Sequence, residues 1–219
     1  MKKGATLRSL PRPRAQQKRS QRTFDELLKA TSRVLDREGL EGATIPNITA
    51  EAKLSAGSIY RRFGDKDNLL RATFLHIFEA AHTVHATLVH RMIARDTLSG
   101  TIDALIAVLL KQYRDHPKLL SALNRMIESE PHPAFTKQMM RLSSANLEQL
   151  ANILLRHRSS MRHPNPKRAS RFAVLSASSS IELAVLGGVS QWRVSLRVSD
   201  KIFAAELSRQ MSNYLQGLT

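Results

Sequence analysis

Apolar residues recur along most of the chain at spacings of three and four, the period of a helix with one face turned inward, and no alternating strand pattern competes. Phe24, Leu27, Leu28, Thr31, Val34 and Leu35 mark a first amphipathic helix that ends at Gly39. Thr44, an N-cap type of residue, precedes Ile45, Ile48 and Ala52, which predict a short second helix with Pro46 tolerated in its first turn. Lys53 and Leu54 make a turn. Ser55 and Gly64 then bracket about two turns of a third helix. Asp65 caps a fourth, whose inward stripe is Leu70, Phe74, Ile77 and Phe78. From about Lys66 to Arg95 that helix would run roughly 45 Å at about 1.5 Å per residue.

The rest of the chain reads as further helices separated by proline and polar clusters. Arg95 to Gly100 ends the fourth helix, Asp115-His116-Pro117 and Ser129-Glu130-Pro131-His132-Pro133 punctuate the middle, and His163-Pro164-Asn165-Pro166 precedes a late pair. That pair spans roughly Lys167 to Gly188 and Asp200 to Gln216. Small residues such as Ala173, Ser176, Ala177, Ser179, Ser180, Ala184 and Gly187 allow close approach to the first of the two. Ile202, Phe203, Leu207, Met211, Tyr214 and Leu215 give the last helix its apolar stripe. Both helices suit self-association, and the same residues would equally suit an intrachain core.

The third helix has two unlike faces. Ile59 and Phe63 fall four apart on an apolar side, and Gly57, Ser58, Arg61 and Arg62 are placed opposite. Gly57 costs a helix about 1 kcal/mol relative to Ala, a penalty with a purpose if the backbone must approach something closely. Arg61 and Arg62 offer forked donors suited to guanine edges or phosphates. A solvated polar face on a core helix is the plain alternative.

Over Arg22 to about Ala81 these residues resemble the TetR-type transcriptional regulators. The resemblance rests on Gly39-Leu40, Ala43-Thr44-Ile45, Leu54-Ser55, Gly57-Ser58-Ile59-Tyr60-Arg61-Arg62-Phe63, Asp65-Lys66-Asp67 and Leu69. It implies an all-α fold. An N-terminal three-helix helix-turn-helix domain is joined by a long helix to a C-terminal helical domain for ligand binding and dimerisation. The expected division is 1–20 a disordered basic arm, 21–81 the DNA-binding domain with its helix-turn-helix at 44–63, and 82–219 the effector and dimerisation domain. By resemblance, Thr44, Tyr60 and Lys66 touch phosphate, and Ala56, Gly57, Ser58 and Arg61 face the groove. Pro46, Asn47, Lys53, Ser55 and Arg62 complete the candidate DNA-binding set. Pro46 stands where relatives often carry a polar or basic residue and Ala56 where Lys, Arg or Pro is common. Lys53 stands where a turn glycine is common, which implies a backbone conformation disfavoured for residues bearing a Cβ. The late helices imply a homodimer, whose two-fold symmetry sets two reading helices roughly 34–36 Å apart on a near-palindromic double-stranded operator.

Charge fits this picture. The 219 residues carry 34 Lys and Arg against 18 Asp and Glu, a formal net charge of +16. Lys2, Lys3, Arg8, Arg12, Arg14, Lys18, Arg19 and Arg22 crowd the first segment with no acid among them, and Pro11 and Pro13 interrupt it. Arg12 and Arg14 are candidates for minor-groove contact, against the alternative of a solubilising tail. There is no cysteine, so neither disulfides nor a thiolate nucleophile is expected, and a cytoplasmic location with no secretory signal or membrane span is the simplest expectation.

A small-molecule cavity in the C-terminal part is expected to use Leu105, Leu109, Tyr113, Met126, Phe135, Met139 and Phe172, each of which would also serve as ordinary core. Glu182, an acid within Ser-Ile-Glu-Leu-Ala-Val-Leu, either holds a cationic group of an effector or pairs with an arginine or hydroxyl at an interface. His76, His82, His85 and His90 lie along the fourth helix without the further ligands a metal site needs, so no metal and no cofactor is expected. No phosphate loop, nucleophile elbow or zinc-protease motif supports an enzyme. The expected activity is therefore that of a repressor released from its operator by a small molecule. Two alternatives stand beside it: a DNA-binding dimer without an effector, and a basic helical protein that binds RNA or acidic surfaces by charge alone.

Overall fold

The computed structural model describes residues 14–84, 91, 95–129, 132–187 and 198–217, with backbone alone for 14–19 and 81–84. The described residues form nine α-helices and no strand. They are α1 Arg14–Gly42, α2 Ile45–Ala52, α3 Ala56–Phe63, α4 Lys66–Val84, α5 Leu98–Asp115, α6 Pro117–Ser129, α7 Pro133–Leu155, α8 Pro166–Leu186 and α9 Asp200–Gln216. A 3-10 turn, Arg158–Ser160, lies between α7 and α8.

Side chains that start helices explain most boundaries. Thr44, Asp65, Thr97, Asn165 and Ser199 each accept a hydrogen bond from a backbone N–H three residues on. Prolines occupy the first turns of α2, α6, α7 and α8, where their missing N–H leaves no intrahelical bond unmade. The expected stop at Gly39 is present as a break, with Gly39 at φ 72° and three more residues to Gly42 beyond it. Two expectations need correction. The segment 14–20, expected to be disordered, is already helical, because the prolines end at Pro13 and Ala15-Gln16-Gln17-Lys18-Arg19 are all good helix formers. Residues Leu98 to Gly100 open α5 behind the Thr97 cap and do not close α4. Residues 1–13, which include Arg12, and the stretch of the expected fourth helix around His85 and His90 lie outside the described residues.

Two apolar clusters organise the molecule. One joins α5, α7, α8 and α9 through residues such as Ile102, Leu105, Ile106, Leu154, Val174, Ile181, Leu207 and Leu215. The other holds α1 to α4 together through Leu27, Leu28, Leu35, Ile48, Ile59, Leu69 and Phe74, and continues into Leu119, Leu123 and Met126 of α6 and Phe135 and Met139 of α7. The core of the first four helices therefore extends into the C-terminal half, and polar links follow it. Lys118 Nζ donates to the Arg37 carbonyl at 2.8 Å, His116 Nδ1 lies 3.0 Å from Asp36, and Arg125 pairs with Glu41 at 2.8 Å.

Among the described residues, α8 alone is long and apolar enough to cross a membrane by length and composition, with mean hydropathy 1.2. Lys167, Arg168, Arg171 and Glu182 interrupt its apolar sequence. Here Ala169, Ala173, Val174, Ala177, Ile181 and Val185 of α8 lie in the first cluster.

Candidate nucleic-acid interface and effector cavity

The α2-turn-α3 unit owes its shape to local chemistry. Thr44 Oγ1 caps α2 by accepting from the Asn47 N–H at 3.3 Å, and Lys53 ends it at φ 53°, ψ 43°, the left-handed conformation expected there. Lys53 N–H donates to the Ala50 carbonyl and Leu54 N–H to that of Thr49, closing the turn. Ser55 stands at the N-cap of α3 without a side-chain capping bond. Ile59 and Phe63 are buried, and Phe63 stacks on Phe24 of α1 with ring centroids 5.2 Å apart. These contacts fix which side of α3 faces outward.

That side is not quite the expected one. Ala56, Tyr60 and Arg61 are exposed and Gly57 half-buried between them, so positions 56, 57, 60 and 61 share one open arc. Tyr60 is 54% exposed. Ser58, expected on the reading face, is only 7% exposed, with its hydroxyl 3.3 Å from that of Ser55. Arg62 bends back, Nη1 donating to the Ser58 carbonyl at 3.3 Å. The reason is helical spacing: 58 and 62 lie four apart beside the buried pair 59 and 63 and are drawn toward the body. Asn47 is exposed, but its amide donates to Glu38 and to the Gly42 carbonyl, both at 2.9 Å, and so ties α2 to the end of α1.

Thr44, Pro46, Lys53 and Ser55 are exposed around this arc and Lys66 is half-buried at the start of α4. Among the described residues, Lys53, Arg61 and Lys66 have no acidic partner within salt-bridge distance. Arg33 and Arg37 are instead neutralised by Glu51, at 2.6 and 3.1 Å. Hydrogen bonds from Arg33 and then Arg37 hold the Glu51 carboxyl below its ordinary range. An unpaired cationic arc beside a paired flank suits a polyanion. The Arg33–Glu51 link joins residues 18 apart in sequence and had no signature in the spacing.

Behind this unit two adjoining cavities, about 650 and 470 Å³, share Phe78, Tyr113 and Leu120. The larger is walled by Ser32, Arg33 and Asp36 of α1 as well as by α4 to α8, and includes Leu109. The smaller includes Met139, Asn124 and Glu182. Of the expected lining residues, Leu109, Tyr113, Met139 and Glu182 are brought together there. Leu105 is fully buried in the first cluster, Met126 and Phe135 belong to the second, and Phe172 is 55% exposed against Tyr214, its ring 5.6 Å away. Periodicity could not separate these cases, because every face of a helix in a bundle meets something. Glu182, expected to hold a cationic group or to pair with an arginine or hydroxyl at an interface, here pairs within the chain with a hydroxyl and an amide. Tyr113 Oη donates to Oε2 at 3.4 Å and Asn124 Nδ2 to Oε1 at 2.7 Å. Burial, and then the nearby carboxylate, push the Tyr113 hydroxyl up to about 12. Asn124 went unnoticed in the sequence, although an amide between Leu123 and Ile127 was its signal.

Helices α8 and α9 expose Phe172, Leu175, Leu183, Ile202 and Tyr214. The small Ala173 and Ala177, expected to permit contact between subunits, are buried within the chain with Leu207, Met211 and Leu215. Histidine 76 is exposed, the side chain of His82 lies outside the described residues, and no group of three metal-binding side chains occurs among the described ones.

The family model described as bacterial regulatory proteins, tetR family, matches residues 27–73. The HTH-type transcriptional regulator BetI of Burkholderia thailandensis is 37% identical over 82 residues, which is 37% of this chain and 41% of that protein. The chain thus spans less than half the length of that relative. BetI of Burkholderia ambifaria is 25% identical over 175 residues, 80% of this chain and 88% of its own. Among solved structures, a TetR transcription regulator from Haloarcula marismortui superposes with TM-score 0.64 at 18% identity, covering 90% of this chain and 98% of that one. FadR from Bacillus subtilis in complex with stearoyl-CoA gives 0.61 at 12% identity, covering 90% and 100%. The capped helix-turn-helix and the tetR family model agree over residues 27–73, and over most of its length the chain is similar in fold to a solved TetR regulator.

Proposed function

We propose that the chain is a cytoplasmic, homodimeric, sequence-specific DNA-binding repressor, released from a near-palindromic operator by a small molecule, and not an enzyme. The observation that carries this is the open arc of α3, Ala56, Gly57, Tyr60 and Arg61, held outward by the buried Ile59 and Phe63. Arg61 contacts base edges, and Thr44, Lys53, Tyr60 and Lys66 contact phosphates on either side. Pro46 and Ser55 contribute surface, Asn47 and Arg62 position the unit, and the basic segment before α1 adds phosphate attraction. Residues 21–81 read DNA, and 82–219 sense the ligand and dimerise. The apolar face of α8 and α9 supports dimerisation, because Phe172, Leu175, Leu183 and Ile202 would otherwise meet water.

Release is a shift between two forms that differ in the spacing of the two reading helices. Asp36 lines the cavity and pairs with His116, and the neighbouring Arg37 carbonyl accepts from Lys118, so a ligand in the cavity acts on α1 directly. The test is to recover genomic fragments bound by the purified protein and titrate them against it. A shared inverted-repeat sequence bound far more tightly than random DNA is the expected result; equal affinity for both would reject the reading.

A further inference from the structure

The chain carries 34 Lys and Arg, yet the lining of the smaller cavity contains no cationic side chain and one anionic one, Glu182. Arg125, on the same helix as Asn124, pairs with Glu41 at 2.8 Å. Both partners of the Glu182 carboxylate, the Tyr113 hydroxyl and the Asn124 amide, are neutral donors. With its hydroxyl pushed up to about 12, Tyr113 stays protonated near neutrality and serves as donor. Glu182 is half-buried and forms no salt bridge among the described residues. Each of its oxygens has one such partner and keeps capacity for another. The remaining wall is largely apolar: Phe78, Leu120, Leu123, Ile127, Met139 and Leu186. Such a site disfavours an anion, gives a neutral guest only apolar burial, and rewards a cation with both.

We propose that this cavity takes an amphipathic monocation, an ammonium or amidinium head against Glu182 with an apolar body along α4, α6 and α7. The proposal rests on the ligand-responsive reading only for the consequence of binding, not for binding itself. The head replaces no existing bond, since Tyr113 and Asn124 orient the carboxylate from α5 and α6 while the guest approaches its open side. Tyr113 and Phe78 add aromatic rings to the wall, a surface that accepts cations as readily as apolar groups.

The test compares three probes of one shape, 4-phenylbutylammonium, 4-phenylbutanol and 4-phenylbutyrate, by calorimetry on the full chain and on Glu182→Gln. Glutamine keeps the size and an acceptor oxygen, so a merely structural role survives the change and a charge-selecting role does not. Thermal unfolding and DNA binding of the variant check that it folds. The ammonium should bind at least about tenfold more tightly than the alcohol, with the carboxylate weakest, and the variant should bring ammonium and alcohol within about threefold. Equal or tighter binding of the alcohol or carboxylate, a preference that survives Glu182→Gln, or binding of none of the three would overturn the proposal. The same ammonium is added to the protein on its selected DNA. If it binds with the expected charge preference but leaves DNA affinity unchanged, the cation site stands and the ligand-responsive reading falls.

Discussion

The eight-residue α3 and the twenty-one-residue α8 both turn one face to the body and one to the outside, with opposite chemistry on the outer face. On α3 the outer arc is Ala56, Gly57, Tyr60 and Arg61, and Ile59 and Phe63 hold the inner one. On α8 the outer residues are Phe172, Leu175 and Leu183, and the small Ala173 and Ala177 lie inside. The inner residues of each helix set its orientation; the outer ones indicate the partner. A basic arc with one phenol suits a polyanion, and an exposed apolar stripe suits a second apolar surface.

Changing the anchors and the outer faces separately tests this division. The largest effect should come from an anchor. Phe63→Ala removes the ring stacked on Phe24 and should cost about 3–5 kcal/mol, read as a lower urea midpoint together with loss of DNA binding. Leu183→Asp places a charge at a side chain of α8 that is 42% exposed. Sedimentation should find monomer where the parent is dimeric, with each subunit still helical; a stable dimer of the variant would remove this face from the interface. Arg61→Ala should cost about 1–3 kcal/mol on the selected sequence and little on random DNA, and equal losses on both would deny it a base-reading role.

The smallest effect concerns Tyr113. Its hydroxyl is raised in the folded state from 10.0 to about 12, so the folded form holds that proton more tightly. The resulting stabilisation is complete below pH 10 and is lost as pH rises toward 12. Tyr113→Phe should therefore flatten part of the alkaline decline in melting temperature, and an unchanged slope would mean that the hydroxyl ionises as freely as in the unfolded chain.

How much could be read from the chain follows the same division. Thr44 as a cap and the breaks at Pro117, Pro133 and Pro166 are local features, carried by neighbouring residues, and they were legible. The left-handed Lys53 was legible through the resemblance, whose turn glycine it replaces. Ser58 and Arg62 were placed on the wrong arc because they border the buried pair, and only contact with α1 and α4 decides which way a border position turns. Likewise Phe172 and Phe135 look alike in the sequence, and one is on the surface while the other is core. The partners of Glu182 lie 58 and 69 residues away, so no spacing rule could supply them.

The central claim is that the open arc of α3 meets DNA at close range, and Gly57 tests it most directly. A Cβ built there meets only the tip of Arg61 at 3.4 Å and the Ser55 hydroxyl at 3.9 Å, so the fold has room for alanine. Within the protein, Gly57→Ala should raise stability by about 0.5–1 kcal/mol through helix propensity alone. On the selected DNA the same methyl group should weaken binding about tenfold or more, because it stands between α3 and the groove. Higher stability with weaker binding is the expected pair of results; higher stability with unchanged binding would contradict the claim.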